Sequence, residues 1–208
     1  MLFLPTSRTE PTVNKRGEAL ELAVLGLLQD SPMHGYELRK QVTGLLGWTR
    51  VLSFGSLYPC LKQMQRAGWI AEDTSLRSPD AGTNFSSRRA RIVYKLTAEG
   101  KERFAVLVSE AGPSAWEDDN FGVHFAFFAR TDAETRLRIL EGRRSRLEER
   151  LDGVRTAMAR TRERVDSYTS ELQRHGLESA EREVRWLSEL IDNERTRPAP
   201  HQTTNIKS

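Results

Sequence analysis

Basic and hydroxyl side chains are the groups in this chain whose types and spacing could do chemistry, and the excess of basic over acidic residues lies between residues 34 and 95. This stretch contains ten basic and four acidic residues, whereas residues 133–197 contain fifteen arginines and fourteen acidic residues. The net charge of the 208-residue chain is only +3, so the excess of positive charge is local. A local excess of this kind is typical of a surface that faces nucleic-acid phosphates.

The residue patterns that support catalysis or metal binding are missing from the sequence. The four histidines have no metal-ligand spacing with one another or with acidic residues. A glycine-rich phosphate loop, a nucleophile elbow and paired carboxylates at a recognisable spacing are also missing. The sequence therefore predicts that the chain is not an enzyme and that it binds no cofactor and no metal.

The single cysteine, Cys60, excludes an intramolecular disulfide and a four-cysteine zinc site. It is interpreted as a small buried residue, with a redox switch as the alternative, which would require exposure and a lowered pKa. No apolar run approaches the length of about 18 residues that a membrane-spanning helix needs. We therefore expect a cytoplasmic protein that does not contact a membrane.

The elements that must position the basic side chains follow one another in a simple order. Seven of the nine residues 20–28 and their neighbour Ala19 make this segment densely apolar, which predicts a helix buried on more than one side. A second helix is expected from about His34 to Leu45, and a third from about Ser53 to Ala67. Two short apolar segments with strand propensity, 69–71 and 92–96, then flank a loop. This is the order of a winged helix-turn-helix, mainly α with a small β-hairpin wing.

The composition along the chain predicts five regions. They are a disordered arm (1–17), a winged helix-turn-helix DNA-binding domain (18–110), a connection (111–130), a C-terminal helical dimerisation domain (131–197) and a tail (198–208). At the start of the helical domain, Thr131 and Glu134 have the spacing of a capping box, in which two side chains satisfy exposed backbone amides.

A heptad pattern in the helical domain predicts a coiled coil. Eight of ten seam positions are apolar over about five heptads, up to an interruption at His175 and Gly176. A second, shorter helix follows over residues 180–191. The seam is expected to pair across a homodimer or to pack on this last helix, and the predicted dimerisation residues are Leu140, Leu147, Leu151, Val154, Met158, Val165 and Leu172.

Three short motifs resemble the PadR family of bacterial transcriptional regulators. They are Gly35-Tyr36-Glu37-Leu38, Gly55-Ser56-Leu57-Tyr58-Pro59, and Tyr94-Lys95-Leu96-Thr97 followed by Glu99-Gly100. The resemblance covers about residues 20–104, and the helical tail is similar to that of larger members in its periodicity. It implies a winged helix-turn-helix regulator that binds double-stranded DNA and responds to phenolic acids or hydrophobic drugs. The wing departs from the family pattern but keeps its positive charge.

The DNA-contacting residues are expected on the second helix of the motif, which enters the major groove, and on the wing. Ser53 or Ser56 is expected to cap that helix, a role that is compatible with a phosphate contact because a helix N-terminus attracts anions. Tyr36 is either a core residue or a phosphate contact. The predicted DNA-binding residues are Tyr36, Ser53, Ser56, Tyr58, Lys62, Gln63, Arg88, Arg89 and Arg91.

Aromatic residues are dense between positions 116 and 128, which favours a core or an interface. The alternative is a pocket for a planar effector, as the resemblance implies, lined by Trp116, Phe121, His124 and Phe125. The function predicted from the sequence is a homodimeric, ligand-responsive repressor on a palindromic operator. The competing hypothesis is a coiled-coil adaptor protein that does not bind specific DNA sequences.

Overall fold

A computed structural model describes residues 15–46, 56–73, 92–161 and 166–197 of the chain. In chain order, the elements are α1 (Lys15–Asp30), β1 (Met33–His34), α2 (Gly35–Leu46), α3 (Leu57–Arg66), β2 (Ile70–Glu72), β3 (Val93–Leu96), α4 (Ala98–Ser109), α5 (Pro113–Trp116), α6 (Asp118–Ala126), a 3-10 turn (Phe128–Arg130), α7 (Ala133–Thr161) and α8 (Ser167–Thr196). None of the helices in these ranges is long and apolar enough to cross a membrane. The predicted fold class, mainly α with a small β wing, is confirmed.

The described elements form two compact units. The first unit contains the elements from α1 to α4 together with residues 118–130, and the second contains residues 111–117 and the helices α7 and α8. The segment 111–130, expected to be a connection, is therefore largely helical and is divided between the two units.

Helix α1 is the centre of the first unit. It packs against α2, α3, α4, β3 and α6, so neighbours surround it. Its apolar residues are accordingly buried on several faces, as the sequence predicted: Leu20, Leu22, Ala23, Val24, Leu25, Leu27 and Leu28. Each large aliphatic side chain that is buried contributes about 1.5–3 kcal/mol, so this helix contributes strongly to the stability of the unit.

The wing is a three-stranded antiparallel sheet in the order β1-β3-β2. Ile70 of β2 lies opposite Leu96 of β3, and on the other side of β3 Val93 lies opposite His34 of β1. The sequence predicted only the two longer strands. Strand β1 has two residues, too few for an alternating pattern, and it is extended because β3 provides its partner.

Helix α6 and the turn that follows it pack into the first unit. The ring of Phe127 lies over Gly26 of α1, where an added Cβ would come within 2.2 Å of the ring. Phe127 also meets Phe104 of α4 edge to face, with ring centroids 5.5 Å apart. An ion pair between Arg130 and Asp30 joins the same segment to the end of α1.

The second unit is built on α7 and α8, which pack against each other as an antiparallel pair. Buried residues of the two helices form its core: Leu140, Leu147 and Leu151 on α7, and Leu187 and Ile191 on α8. Three of the predicted seam residues therefore belong to a core that one chain forms on its own. Ion pairs from Arg136 to Glu194, Arg143 to Glu183 and Arg155 to Glu181 fix the antiparallel register.

The predicted break in the coiled coil is wrong. Helix α8 runs without interruption through His175 and Gly176, and Asp166, directly before its first residue, has an extended backbone instead. Asp166 is the N-cap of α8, because its carboxylate accepts hydrogen bonds from the backbone amides at positions 168 and 169. A continuous five-heptad seam is thereby excluded.

The remaining seam residues differ in their surroundings. Leu172 has 70% of its surface exposed and is not part of the core. Val154 and Met158 are half-buried on α7. Val165 lies outside the described residues. The pairing of these residues across a dimer stays a prediction.

The predicted capping box of α7 is displaced by one residue. The cap is Asp132, whose carboxylate accepts from the backbone amide of Thr135 at 2.8 Å and from its hydroxyl at 2.7 Å. These bonds lower the pKa of Asp132. Glu134 instead pairs with Arg138 one turn along the helix. Asp132 is the better acceptor at the cap because a charged carboxylate there also meets the helix dipole.

Candidate nucleic-acid interface

Helix α3 divides its residues between a buried and an exposed face. Leu57, Leu61 and Met64 point into the core of the first unit. Lys62 and Gln63 are exposed, as predicted, and Tyr58 is half-buried against the core. The helix thus presents an amino group and an amide to solvent on a rigid support, which suits contacts to base edges and phosphates.

The start of α3 agrees with the position of its proline. The helix begins at Leu57, so Pro59 lies in the first turn, where its missing N–H removes no intrahelical hydrogen bond. Ser56 occupies the N-cap position but its side chain makes no capping hydrogen bond. The Ser56 side chain therefore does not cap α3. The backbone amides of the first turn still point towards the helix N-terminus.

Tyr36 lies in the first turn of α2 with 62% of its surface exposed. Of the two interpretations left open by the sequence, a core position is thus excluded. Glu37 accepts a hydrogen bond from the backbone amide of His34 at 3.0 Å, which orders this turn. Leu38 and Val42, on the opposite face of the helix, are buried.

The structure adds Arg66 to the exposed residues of α3. Arg66 follows Lys62 by four residues, so both lie on one face of the helix. The four-residue spacing of Lys62 and Arg66 is visible in the sequence and indicates that they share a face. Ser53, Arg88, Arg89 and Arg91 lie outside the described residues, and their roles stay predictions.

The residues predicted to line an effector pocket fall in both units. Phe121 and His124 are buried in the first unit, and the half-buried Phe125 has its ring centroid 5.8 Å from that of Phe121. Burial lowers the pKa of His124 to about 4, so its imidazole is neutral at pH 7. Phe121 and His124 thus help to form a core, and an effector role for them is still a prediction.

Trp116 lies in the second unit at the end of α5. An added Cβ on Gly142 of α7 would come within 2.4 Å of the Trp116 ring, so the two are in close contact. The guanidinium of Arg143 donates to the Trp116 carbonyl oxygen at 3.2 Å and also pairs with Glu183 of α8. These contacts give Trp116 a packing role, which does not depend on a ligand.

Cys60 has the properties of a buried structural residue. Burial, with a contribution from the negative charge of Glu21, raises the pKa of its thiol to about 12. Its sulfur lies 3.6 Å from that of Met64. A thiol that stays protonated is a poor nucleophile, which weighs against a redox switch. Within the described residues, no three metal-ligating side chains come together.

Comparisons with known proteins identify one family. Residues 24–106 match the model of the transcriptional regulator PadR-like family, whose members are regulators rather than enzymes. A comparison with curated proteins gives no match.

Similar solved structures include three from Bacillus. Bacillus subtilis PadR in complex with operator DNA is 19% identical over 84% of this chain and 98% of that chain, with a TM-score of 0.38. The same protein with p-coumaric acid is 17% identical over 85% and 99%, with a TM-score of 0.38. A PadR-like regulator from Bacillus cereus is 20% identical over 85% and 98%, with a TM-score of 0.36.

Proposed function

Because the chain carries a PadR-like transcriptional regulator domain at residues 24–106, we propose that it is a repressor that binds a two-fold symmetric operator as a homodimer. We further propose that a small aromatic or hydrophobic effector releases it from that operator. Repression is the simpler mode of action, since it requires only that the protein occupy the DNA. Activation would require a further contact with the polymerase.

The observation that carries the proposal is the division of α3 into two faces. Lys62 and Gln63 are exposed while Leu57, Leu61 and Met64 anchor the helix in the core. An ammonium group can donate to guanine O6 and N7, and an amide can pair with adenine N6 and N7. In this arrangement Lys62 and Gln63 read bases.

Phosphate contacts would hold α3 in its register on the DNA. The hydroxyls of Tyr36 and Tyr58 and the first-turn amides of α3 can donate to phosphate oxygens. Arg88, Arg89 and Arg91 would add contacts from the segment between β2 and β3. Such contacts contribute affinity for any sequence, whereas Lys62 and Gln63 contribute discrimination.

A second copy of the chain is proposed to pair through α8. Tyr168 and Leu172 are four residues apart, so they lie on one face of the helix, and they are 87% and 70% exposed. The buried seam residues already have partners within one chain, whereas this face offers exposed apolar side chains for a symmetric contact. A homodimer on a two-fold symmetric operator would contact half-sites about 34 Å apart.

The effector is proposed to act through α6. This helix packs against both α1 and α2 of the first unit, and it carries the half-buried Phe125. A planar ligand that stacks on Phe125 would favour another position of α6. Because α6 packs against α2, this movement would also change the packing of α2. Such a ligand must bind the two states of the protein with different affinity, and a coupling of about 1–3 kcal/mol is typical.

The test is a mobility-shift titration of the full chain on DNA from its own upstream region, with and without p-coumaric acid as the probe. We expect a complex with upstream DNA that is tighter than the complex with a scrambled fragment. Lys62→Ala should reduce the difference in binding free energy between the two fragments by roughly 1–3 kcal/mol. Lys101→Ala, at an exposed site on α4, is the control. Equal binding of both fragments, or none, would instead favour the adaptor hypothesis.

A further inference from the structure

Arg103 of α4 lies between a buried carboxylate and an aromatic ring. Its Nε is 2.6 Å from Oε1 of Glu21 on α1, and only 9% of the Glu21 side chain is exposed. Its guanidinium carbon is 5.2 Å from the centre of the Trp69 ring, a cation–π distance. One side chain therefore links the central helix α1 to Trp69.

Trp69 stands between the end of α3 and the first residue of β2. Its backbone amide donates to the carbonyl oxygen of Met64 in α3 at 3.0 Å. Its carbonyl oxygen accepts from both the amide and the hydroxyl of Thr97, at 3.1 and 2.9 Å, directly after β3. The backbone of Trp69 is thus bonded to α3 on one side and to the wing on the other.

Two glycines allow this close packing. Gly68 precedes Trp69 with φ of +76°, a conformation that side chains disfavour, and this lets the chain turn out of α3. At Gly100 of α4, an added Cβ would lie 2.0 Å from the Trp69 carbonyl oxygen. The position of Trp69 therefore determines how the wing strands are placed relative to α3.

We propose that Arg103 is a positioning residue for DNA binding, which holds Trp69 and thereby sets the wing at a fixed angle to the recognition helix. The inference rests on the proposed function. Glu21 holds the guanidinium in place, and the planar guanidinium lies over the indole ring while it bonds to the carboxylate. An apolar pair in the same place would pack as well but would not fix the ring in one orientation.

Further acidic residues lie near the Arg103–Glu21 ion pair, which favours a role for this pair other than stabilising the fold. Glu18 of α1 and Glu110 after α4 both influence the site, and burial together with Glu18 raises the pKa of Glu110. Burial likewise raises the pKa of Glu21, although the hydrogen bond from Arg103 opposes this. A buried ion pair among further acids contributes little net stability, and apolar side chains of similar volume are often at least as stable.

The experiment separates positioning from stability with a double variant. Glu21→Leu with Arg103→Met removes both charges and keeps similar volume, so we expect its melting temperature to stay close to that of the unmodified chain. We expect its operator affinity to fall by about tenfold. The plot of log affinity against log salt should become shallower by about one unit for each phosphate that the wing no longer reaches.

Three further variants complete the test. Trp69→Leu leaves the ion pair intact, and we expect it to reduce operator affinity in the same way. Arg103→Lys keeps the positive charge but removes the planar guanidinium, so we expect it to reduce operator affinity in the same direction as the double variant. Lys101→Met removes an exposed charge from the same helix and should change neither affinity nor salt dependence beyond a small electrostatic effect.

The inference is overturned if the folded double variant and Trp69→Leu bind the operator as the unmodified chain does. It is also overturned if the reduction in affinity disappears once binding is normalised to the folded fraction, because Arg103 would then act on stability alone. If the unmodified chain itself binds no operator, the proposed function fails and the inference fails with it.

Discussion

Leu172→Glu tests the proposed dimer surface without attacking the core of the chain. Leu172 has 70% of its surface exposed in one chain, so its replacement should leave the α7–α8 pair folded. If a second copy covers it, each buried leucine contributes about 1.5–3 kcal/mol, and a symmetric contact contains two of them. A reduction of about 3–6 kcal/mol in the free energy of dimerisation corresponds to a dimer dissociation constant raised by about 150-fold to 25,000-fold.

Sedimentation or light scattering across a concentration series measures this constant, and far-ultraviolet circular dichroism checks that the helices remain. Ser170→Glu is the matched control, because residue 170 is exposed and lies on the opposite side of α8 from residue 172. We expect the control to stay dimeric at concentrations where Leu172→Glu is monomeric. A dimer of unchanged affinity in Leu172→Glu would refute the assignment of this face.

Two further predictions concern the first unit. Gly26→Ala places a methyl group 2.2 Å from the Phe127 ring, so we expect a lower melting temperature and a destabilisation of about 1–3 kcal/mol. The control is Gly44→Ala on α2, where the added methyl group meets no atom within 4 Å and should stabilise the chain by up to about 1 kcal/mol. The pKa of His124, about 4 in the folded chain against an ordinary value of 6.5, predicts stability that is complete above pH 6.5 and falls by up to about 3 kcal/mol towards pH 4. Urea unfolding across this pH range should show a weaker dependence in His124→Leu than in His175→Leu, which alters an exposed histidine.

A feature of this fold can be predicted from the sequence when residues close together in the chain determine it. The buried faces of α1 and α3 follow from the spacing of apolar residues, such as Leu25 on α1 and Leu61 and Met64 on α3. Strand β1 depends on its pairing with β3, a contact between residues about sixty positions apart, and a two-residue segment carries no pattern of its own. The packing of Phe127 over Gly26 is equally non-local, since the two residues are about a hundred positions apart.

The heptad pattern shows how a correct periodicity can give an incomplete interpretation. Apolar residues every three to four positions establish that one face of α7 is buried, but they do not say which helix covers it. Which helix covers this face depends on where α8 begins. Its N-cap is Asp166, a local signal that lies at a different place from the predicted interruption at His175 and Gly176. Once α8 turns back, Leu187 and Ile191 cover the seam within the chain.

The ion pairs between α7 and α8 bear on how this unit could serve a regulator. Arg136–Glu194 and Arg143–Glu183 are largely withdrawn from solvent, so each contributes little net stability and much more to the choice of register. A slide of α8 by one turn would leave these four charges unpaired in a partly buried site. The helix pair is therefore held in one register, and any effector-driven change is more easily accommodated by moving short elements such as α6 than by sliding α8 along α7.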